Sequence, residues 1–176
     1  MLWLTAHAGT FLQRMANDRW TGAFWRLGES KVWFDGQNGV DIYVRKKDLE
    51  PMQRLHDLVR HYAGPGDWVV AYPYHPAINV LADRPTYEWN VYVDNATHAN
   101  ARNWDAHAIE RFQIQRPAVI VISEWAPNGH EASKFENFAA PTVNWVRANY
   151  PLIDTIRVGS DNFAIYVRRD LSVESR

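Results

Sequence analysis

Two short apolar runs, each placed directly after a chain breaker, restrict this chain more than any other feature. Trp68-Val69-Val70-Ala71 follows Gly64-Pro65-Gly66-Asp67, and Ala118-Val119-Ile120-Val121-Ile122 follows Arg116-Pro117. Runs of that length, bounded by turn residues and rich in β-branched side chains, read as strands. The second has no polar residue in alternation, so both of its faces must be covered. The stretches between and around them supply the covering layers. Residues 49–62 place Met52, Leu55, Leu58, Val59 and Tyr62 on one helical face, with Asp48 as the expected cap. A second helix is expected from Asp105, with Ile109 and Phe112 facing inward. A third is expected over 135–148, with Phe135, Phe138, Thr142, Trp145 and Val146 on one stripe and Pro141 as a kink or an early boundary. Strands are expected at 31–34 and 40–44, and an alternating segment at 86–93. A C-terminal hairpin of 153–158 and 163–167 should turn at Gly159-Ser160-Asp161-Asn162. The pattern at 10–20 is a poor helix.

Strands alternating with helices around apolar runs imply an α/β domain, a three-layer sandwich over a mixed, partly parallel sheet with an antiparallel hairpin at its end. Length fits: 176 residues suffice for one domain. We divide the chain into a segment 1–30 and an α/β domain 31–176. Two stretches, 94–104 and 123–134, read as long irregular loops, and such loops are often functional.

The end of the first run holds an unusual block, Tyr72-Pro73-Tyr74-His75-Pro76, followed by Ile78-Asn79-Val80-Leu81-Ala82-Asp83-Arg84-Pro85. Pro73 drives Tyr72 toward extended geometry and closes the strand. Pro76 suits the first turn of a helix. The block therefore reads as strand end, tight turn and short helix. Ligands of open α/β sheets gather at the carboxyl ends of such strands, which makes Tyr72, Tyr74, His75 and Arg84 candidate binding residues. The plainer reading has the tyrosines in the core and Arg84 at the helix C-terminus, where a cation can satisfy open carbonyls.

The composition excludes several classes. The 19 basic and 20 acidic residues leave no basic excess, so nucleic acid is not an expected partner. No cysteine is present, which removes disulfides, thiolate metal sites and cysteine nucleophiles. No apolar run approaches the roughly 20 residues of a membrane helix. Hydrolase and phosphate-loop signatures are missing: there is no GxSxG elbow, no HExxH, and Gly64-Pro65-Gly66-Asp67 precedes a strand rather than a helix. The loops do carry acids and imidazoles, in Asp94 to His98, Asn103 to His107, and Glu124, His130 and Glu131. His98, His107 and His130 are weak metal candidates without ligand spacing, so no metal and no cofactor is expected. Nine tryptophans raise the question of sugar contact, since indole faces pack on sugar rings. Trp89, Trp104 and Trp125 lie in or beside the loops and are the candidates, whereas Trp68 and Trp145 suit the core.

The proline-bounded block, the Gly39 to Val44 strand ahead of an amphipathic helix, the Arg116-Pro117 strand unit, and Asn149-Tyr150-Pro151 before the last hairpin run in order from about Lys31 to Arg169. In that order they resemble the soluble C-terminal domain of bacterial GT-C-type polytopic membrane glycosyltransferases, related to the lipid-phosphate-mannose protein mannosyltransferases. Where that family often has an aromatic residue in the short helix, this chain has Asn79. The resemblance implies a periplasmic or extracytoplasmic domain tethered at the inner membrane, with the membrane domain of the same parent protein as partner. It implies that the parent uses polyprenyl-phosphate sugars, that the catalytic acids lie in the membrane part, and that residues 1–30 link to it. A lipid-linked sugar or glycan could then meet the domain. The competing classes are a free-standing soluble hydrolase using the histidine and acid loops, and a glycan-binding module.

Overall fold

The computed structural model describes residues 30–36, 41–86, 93–126 and 129–172. Two strands, β1 (Lys31–Asp35) and β2 (Asp41–Arg45), pair antiparallel as a separate two-stranded sheet. The main sheet has the order β3-β4-β6-β5 and is built from β3 (Val69–Tyr72), β4 (Val119–Ser123), β5 (Leu152–Val158) and β6 (Asp161–Val167). β3 and β4 are parallel, while β6 runs antiparallel to both β4 and β5. Among the described residues the helices are α1 (Lys46–Tyr62), α2 (Pro76–Ala82), α3 (Asn95–Asn100), α4 (Trp104–Gln115), α5 (Phe135–Phe138), α6 (Ala140–Asn149) and α7 (Arg169–Ser172), with a 3-10 turn at Glu131–Ser133.

Alternation along the strands sorts the core into two layers. Val70, Tyr72, Ile120, Ile122 and Tyr166 point to one face, where Trp104, Ala108 and Phe112 of α4 and Val143 and Val146 of α6 cover them. Val69, Ala71, Val119, Val121, Ile165 and Val167 point to the other, under Leu55 and Val59 of α1 and Ile78 and Ala82 of α2. All five β4 residues are buried, as a strand covered on both faces must be. The mixed α/β sandwich and its closing hairpin are as the sequence implies.

β3 lies at the edge of the four-stranded sheet, and at Val69 its outer side is met by its own sequence neighbours. The Val69 N–H donates to Pro85 O at 2.9 Å, and the Val69 carbonyl accepts from Asn79 Nδ2 at 2.7 Å. Asn79 is therefore a buried substitute for a strand partner, in a fold position where an apolar residue would leave a carbonyl open. Arg84 performs a related task. Its Nε donates to Ala63 O at 2.6 Å and its Nη1 to Ala82 O at 3.1 Å and Asp83 O at 2.9 Å. Ala63 caps α1 and Asp83 caps α2, so one guanidinium joins the carbonyl ends of both helices.

Several boundaries differ from expectation, each for a local reason. α1 begins at Lys46, and Asp48 sits inside its first turn, accepting from Arg45 and from the Gly159 N–H at 3.1 Å. That carboxylate ties α1 to the β5–β6 turn. Gly159 has φ 66°, in the left-handed region that glycine favours, and a Cβ there would lie 2.6 Å from Arg45 Nη2, so the guanidinium would have to shift. The 94–104 stretch is not irregular: Asp94 accepts from the Thr97 N–H at 2.6 Å and starts α3. α4 begins one residue before Asp105, whose carboxylate reaches across to Thr142 instead of capping, and Ile109 is only half-buried while Ala108 faces the core. The 135–148 helix is two helices that part at Ala139, with Pro141 in the first turn of α6. The segments expected at 10–20 and, apart from its ends, at 86–93 lie outside the described residues.

Arg84→Ala leaves two buried carbonyls and the part-buried Asp83 carbonyl without this donor, and we expect it to lower stability by about 2 kcal/mol. Urea unfolding with unchanged far-UV circular dichroism would show this. Arg84→Lys should recover less than half, because a single ammonium cannot span both helix ends as a planar fork does. A loss under about 0.5 kcal/mol for Arg84→Ala would contradict this role.

Candidate functional site

The parallel strands β3 and β4 deliver their carboxyl ends to one place, and β6 begins there. Beyond β3 come Tyr74 and His75; at the end of β4 stand Ser123, Glu124 and Trp125; β6 opens with Asp161 and Asn162. Ser123 Oγ donates to Asp161 Oδ2 at 2.6 Å and accepts from the Trp125 N–H at 3.0 Å. His75 Nε2 lies 3.4 Å from the same Asp161 Oδ2. Asn162 Nδ2 donates to Glu124 Oε2 at 2.8 Å and closes the rim. The imidazole is wedged edge-on against Phe163, with ring centroids 4.8 Å apart, and Tyr74 meets Trp125 at 5.6 Å.

Two buried atoms in this cluster have no hydrogen-bond partner, His75 Nε2 and Asp161 Oδ1. Burial penalises the charged form of both groups. It lowers the His75 imidazole to about 4 and raises the Asp161 carboxyl to about 6, against the pull of the Ser123 hydroxyl. At neutral pH the site therefore holds a neutral imidazole beside a largely ionised carboxylate. The order of groups is hydroxyl, carboxylate, imidazole. Nucleophilic activation of a serine needs the imidazole in the middle, taking the hydroxyl proton. Here that proton is directed at the carboxylate, and Ser123 is 1% exposed.

The other sequence candidates are dispersed. Tyr72 and Trp104 come together, but in the core: Tyr72 stacks on Phe135 at 4.9 Å, and Trp104, 9% exposed, meets Tyr72 edge-on at 5.8 Å. Trp104 thus offers no open ring for a sugar. Trp125 is half-buried beside Tyr74 and His75, Arg84 is committed to the helix ends, and Trp89 lies outside the described residues. His98 Nε2 pairs with Asp105 Oδ2 at 2.7 Å, while Asp105 Oδ1 accepts from Thr142 Oγ1 at 2.5 Å. That chain of contacts joins α3, α4 and α6. His107 is exposed and stands 3.8 Å from Glu110, and His130 is exposed ahead of the 3-10 turn. Among the described residues, no three histidines, aspartates or glutamates converge as a metal-binding group.

Sequence reasoning missed Ser123 and Asp161. Ser123 carried a signal, being the polar residue that ends the β4 run; Asp161 read as an ordinary turn residue. An open groove of about 950 Å3 lies elsewhere, between β1 and α1, lined by residues that include Trp33, Leu49, Gln53 and Leu58. No protein-family model, curated protein or solved structure matches the chain.

The shifted pair makes a pH prediction. At their ordinary values of 6.5 and 3.8, the unfolded pair holds one proton between those limits, on the imidazole. The folded pair also holds one between about 4 and 6, on the carboxyl. Equal proton counts give the pair little influence on stability across that window. Removing one partner uncovers the other. His75→Gln leaves a raised carboxyl, so its stability relative to wild type should fall as pH rises from about 4 to 6. Asp161→Asn leaves a lowered imidazole, so its relative stability should fall as pH drops from 6.5 to about 4. Urea midpoints across this range check both slopes; parallel curves for all three proteins would contradict the assignment.

Proposed function

We propose that this chain is a noncatalytic, extracytoplasmic accessory domain of a membrane glycosyltransferase of the GT-C type, acting beside a membrane part that uses polyprenyl-phosphate sugars. The resemblance over about Lys31 to Arg169 supplies the family. The observation that carries the noncatalytic reading is the order of the Ser123, Asp161 and His75 groups. The Ser123 hydroxyl at the carboxyl end of β4 is 1% exposed and hydrogen-bonded to a carboxylate rather than to a base. Arg84, the cation of the proline-bounded block, donates to three carbonyls at the ends of two helices, which supports a structural use. A domain of this kind can cover a membrane active site, brace it, or position acceptor and lipid-linked donor. These roles ask for a stable α/β platform rather than reacting groups.

The purified chain should show neither sugar transfer from polyprenyl-phosphate donors nor hydrolysis of p-nitrophenyl esters, phosphates or glycosides. Turnover that disappears in Ser123→Ala or His75→Gln, with the fold intact by circular dichroism, would overturn the proposal. It would favour the hydrolase alternative in its place.

A further inference from the structure

The groove between β1 and α1 follows one face of the helix. Leu49, Gln53, Asp57 and His61 recur at every fourth residue along it, over a length of about 18 Å. Trp33 forms the opposite wall; it is 58% exposed, with its ring centroid 3.7 Å from that of Tyr43. Leu49 and Leu58, both half-buried, continue the apolar surface on the helix side. An open apolar strip of this kind is surface that a further element can cover.

The lining is acidic. Asp35, Glu50 and Asp57, all exposed, stand against one guanidinium and one imidazole, those of Arg54 and His61. Arg54 already pairs with Asp154 at 2.6 Å, and Asp57 accepts from Gln53 Nε2 at 2.8 Å. Lys46 and Lys47 come just before Glu50 on the helix but border a separate recess, with Ser30 and Arg45. The groove itself suits a cationic, amphipathic occupant. Guanidinium groups pack on indole faces and bond carboxylates, and both are offered here side by side.

The chain supplies such a segment. Between residues 10 and 28 it carries three arginines, Arg14, Arg19 and Arg26, with Asp18 as the single acid and no lysine. Phe11, Leu12, Met15, Trp20, Phe24 and Trp25 are interspersed with them. The Lys46 N–H donates to Ser30 O at 2.9 Å, so the residues before Ser30 lead off within about one helical turn of Leu49, at the end of the groove. A tether that short makes contact with the groove intramolecular and raises the effective concentration to the millimolar range. We propose that residues 10–28 of this chain occupy the groove. Their arginines meet Asp35, Glu50 and Asp57, and their apolar side chains cover Trp33, Leu49 and Leu58. A cationic peptide of another protein has the same chemistry but lacks the tether. This docking requires no glycosyltransferase.

The chain contains no cysteine, so engineered pairs report proximity directly in the whole protein. Gln53→Cys lies in the groove, and Gln113→Cys, exposed on α4 across the main sheet, is the control. Each is combined with Ala16→Cys or Ala23→Cys and oxidised. We expect at least one of the two Gln53→Cys pairs to give about tenfold more intramolecular disulfide than its control. Glu50→Lys/Asp57→Lys and Arg14→Glu/Arg19→Glu/Arg26→Glu should each lower that yield at least about fivefold, and joining the two sets should restore most of it. Should the arginine variant misfold, the Glu50 and Asp57 variant decides, since both of its positions are exposed. Equal yields at groove and control, yields unchanged by charge reversal, or no recovery in the joined variant would overturn the proposal. Disulfides formed between chains would overturn it too, and would assign the groove to a second copy. Such failure would leave the accessory role standing, just as turnover by the chain would leave the docked segment standing.

Discussion

A strand buried on both faces is stable only if every peptide group along its edges is paired, because unpaired buried amides and carbonyls each cost about 1–3 kcal/mol. β4 meets this condition by lying between β3 and β6. β3 lies at the edge of that sheet, and at Val69 the chain meets its outer side within the next sixteen residues, through Asn79 and Pro85. This closure sets the form of the block that follows. The strand stops at Tyr72, α2 folds back so that Asn79 reaches Val69, and Arg84 bridges the carbonyl ends of α1 and α2. His75 is carried along by that path to the carboxyl ends of the parallel strands.

Most of the framework is legible in the residues because apolar periodicity reports burial directly. The β4 run, the α1 stripe through Leu55 and Val59, and the proline stops around Tyr74 each give one answer. The expectation for Arg84 at the end of a short helix was also accessible, since few places suit a buried cation so well. What could not be read are contacts between residues far apart in sequence. Asp105 looks like a helix cap, yet its carboxylate serves His98 and Thr142 on two other helices. Asp48 looks like a cap too and instead fixes Gly159, 111 residues away. Local pattern cannot distinguish these uses, because the same carboxylate suits either partner.

The same limit explains the site. Ser123 and Asp161 stand 38 residues apart and meet only because β6 lies beside β4 in antiparallel register. Once there, they share a buried cluster with His75, and burial shifts the aspartate up and the histidine down until the proton is better held by the carboxyl than by the imidazole below pH of about 6. A reactive serine needs the opposite arrangement, with a basic imidazole next to the hydroxyl. The cluster is therefore a polar seam that the fold can tolerate, supporting the reading of the chain as a platform for a partner's chemistry.

That reading makes the physical state of the polypeptide in its native cells the direct test. An antibody raised against this chain should detect, in the alkali-washed membrane fraction, a detergent-extractable polypeptide much larger than 20.4 kDa. Its tryptic peptides should include apolar segments of about 20 residues. A band near 20.4 kDa confined to the soluble fraction would contradict the account.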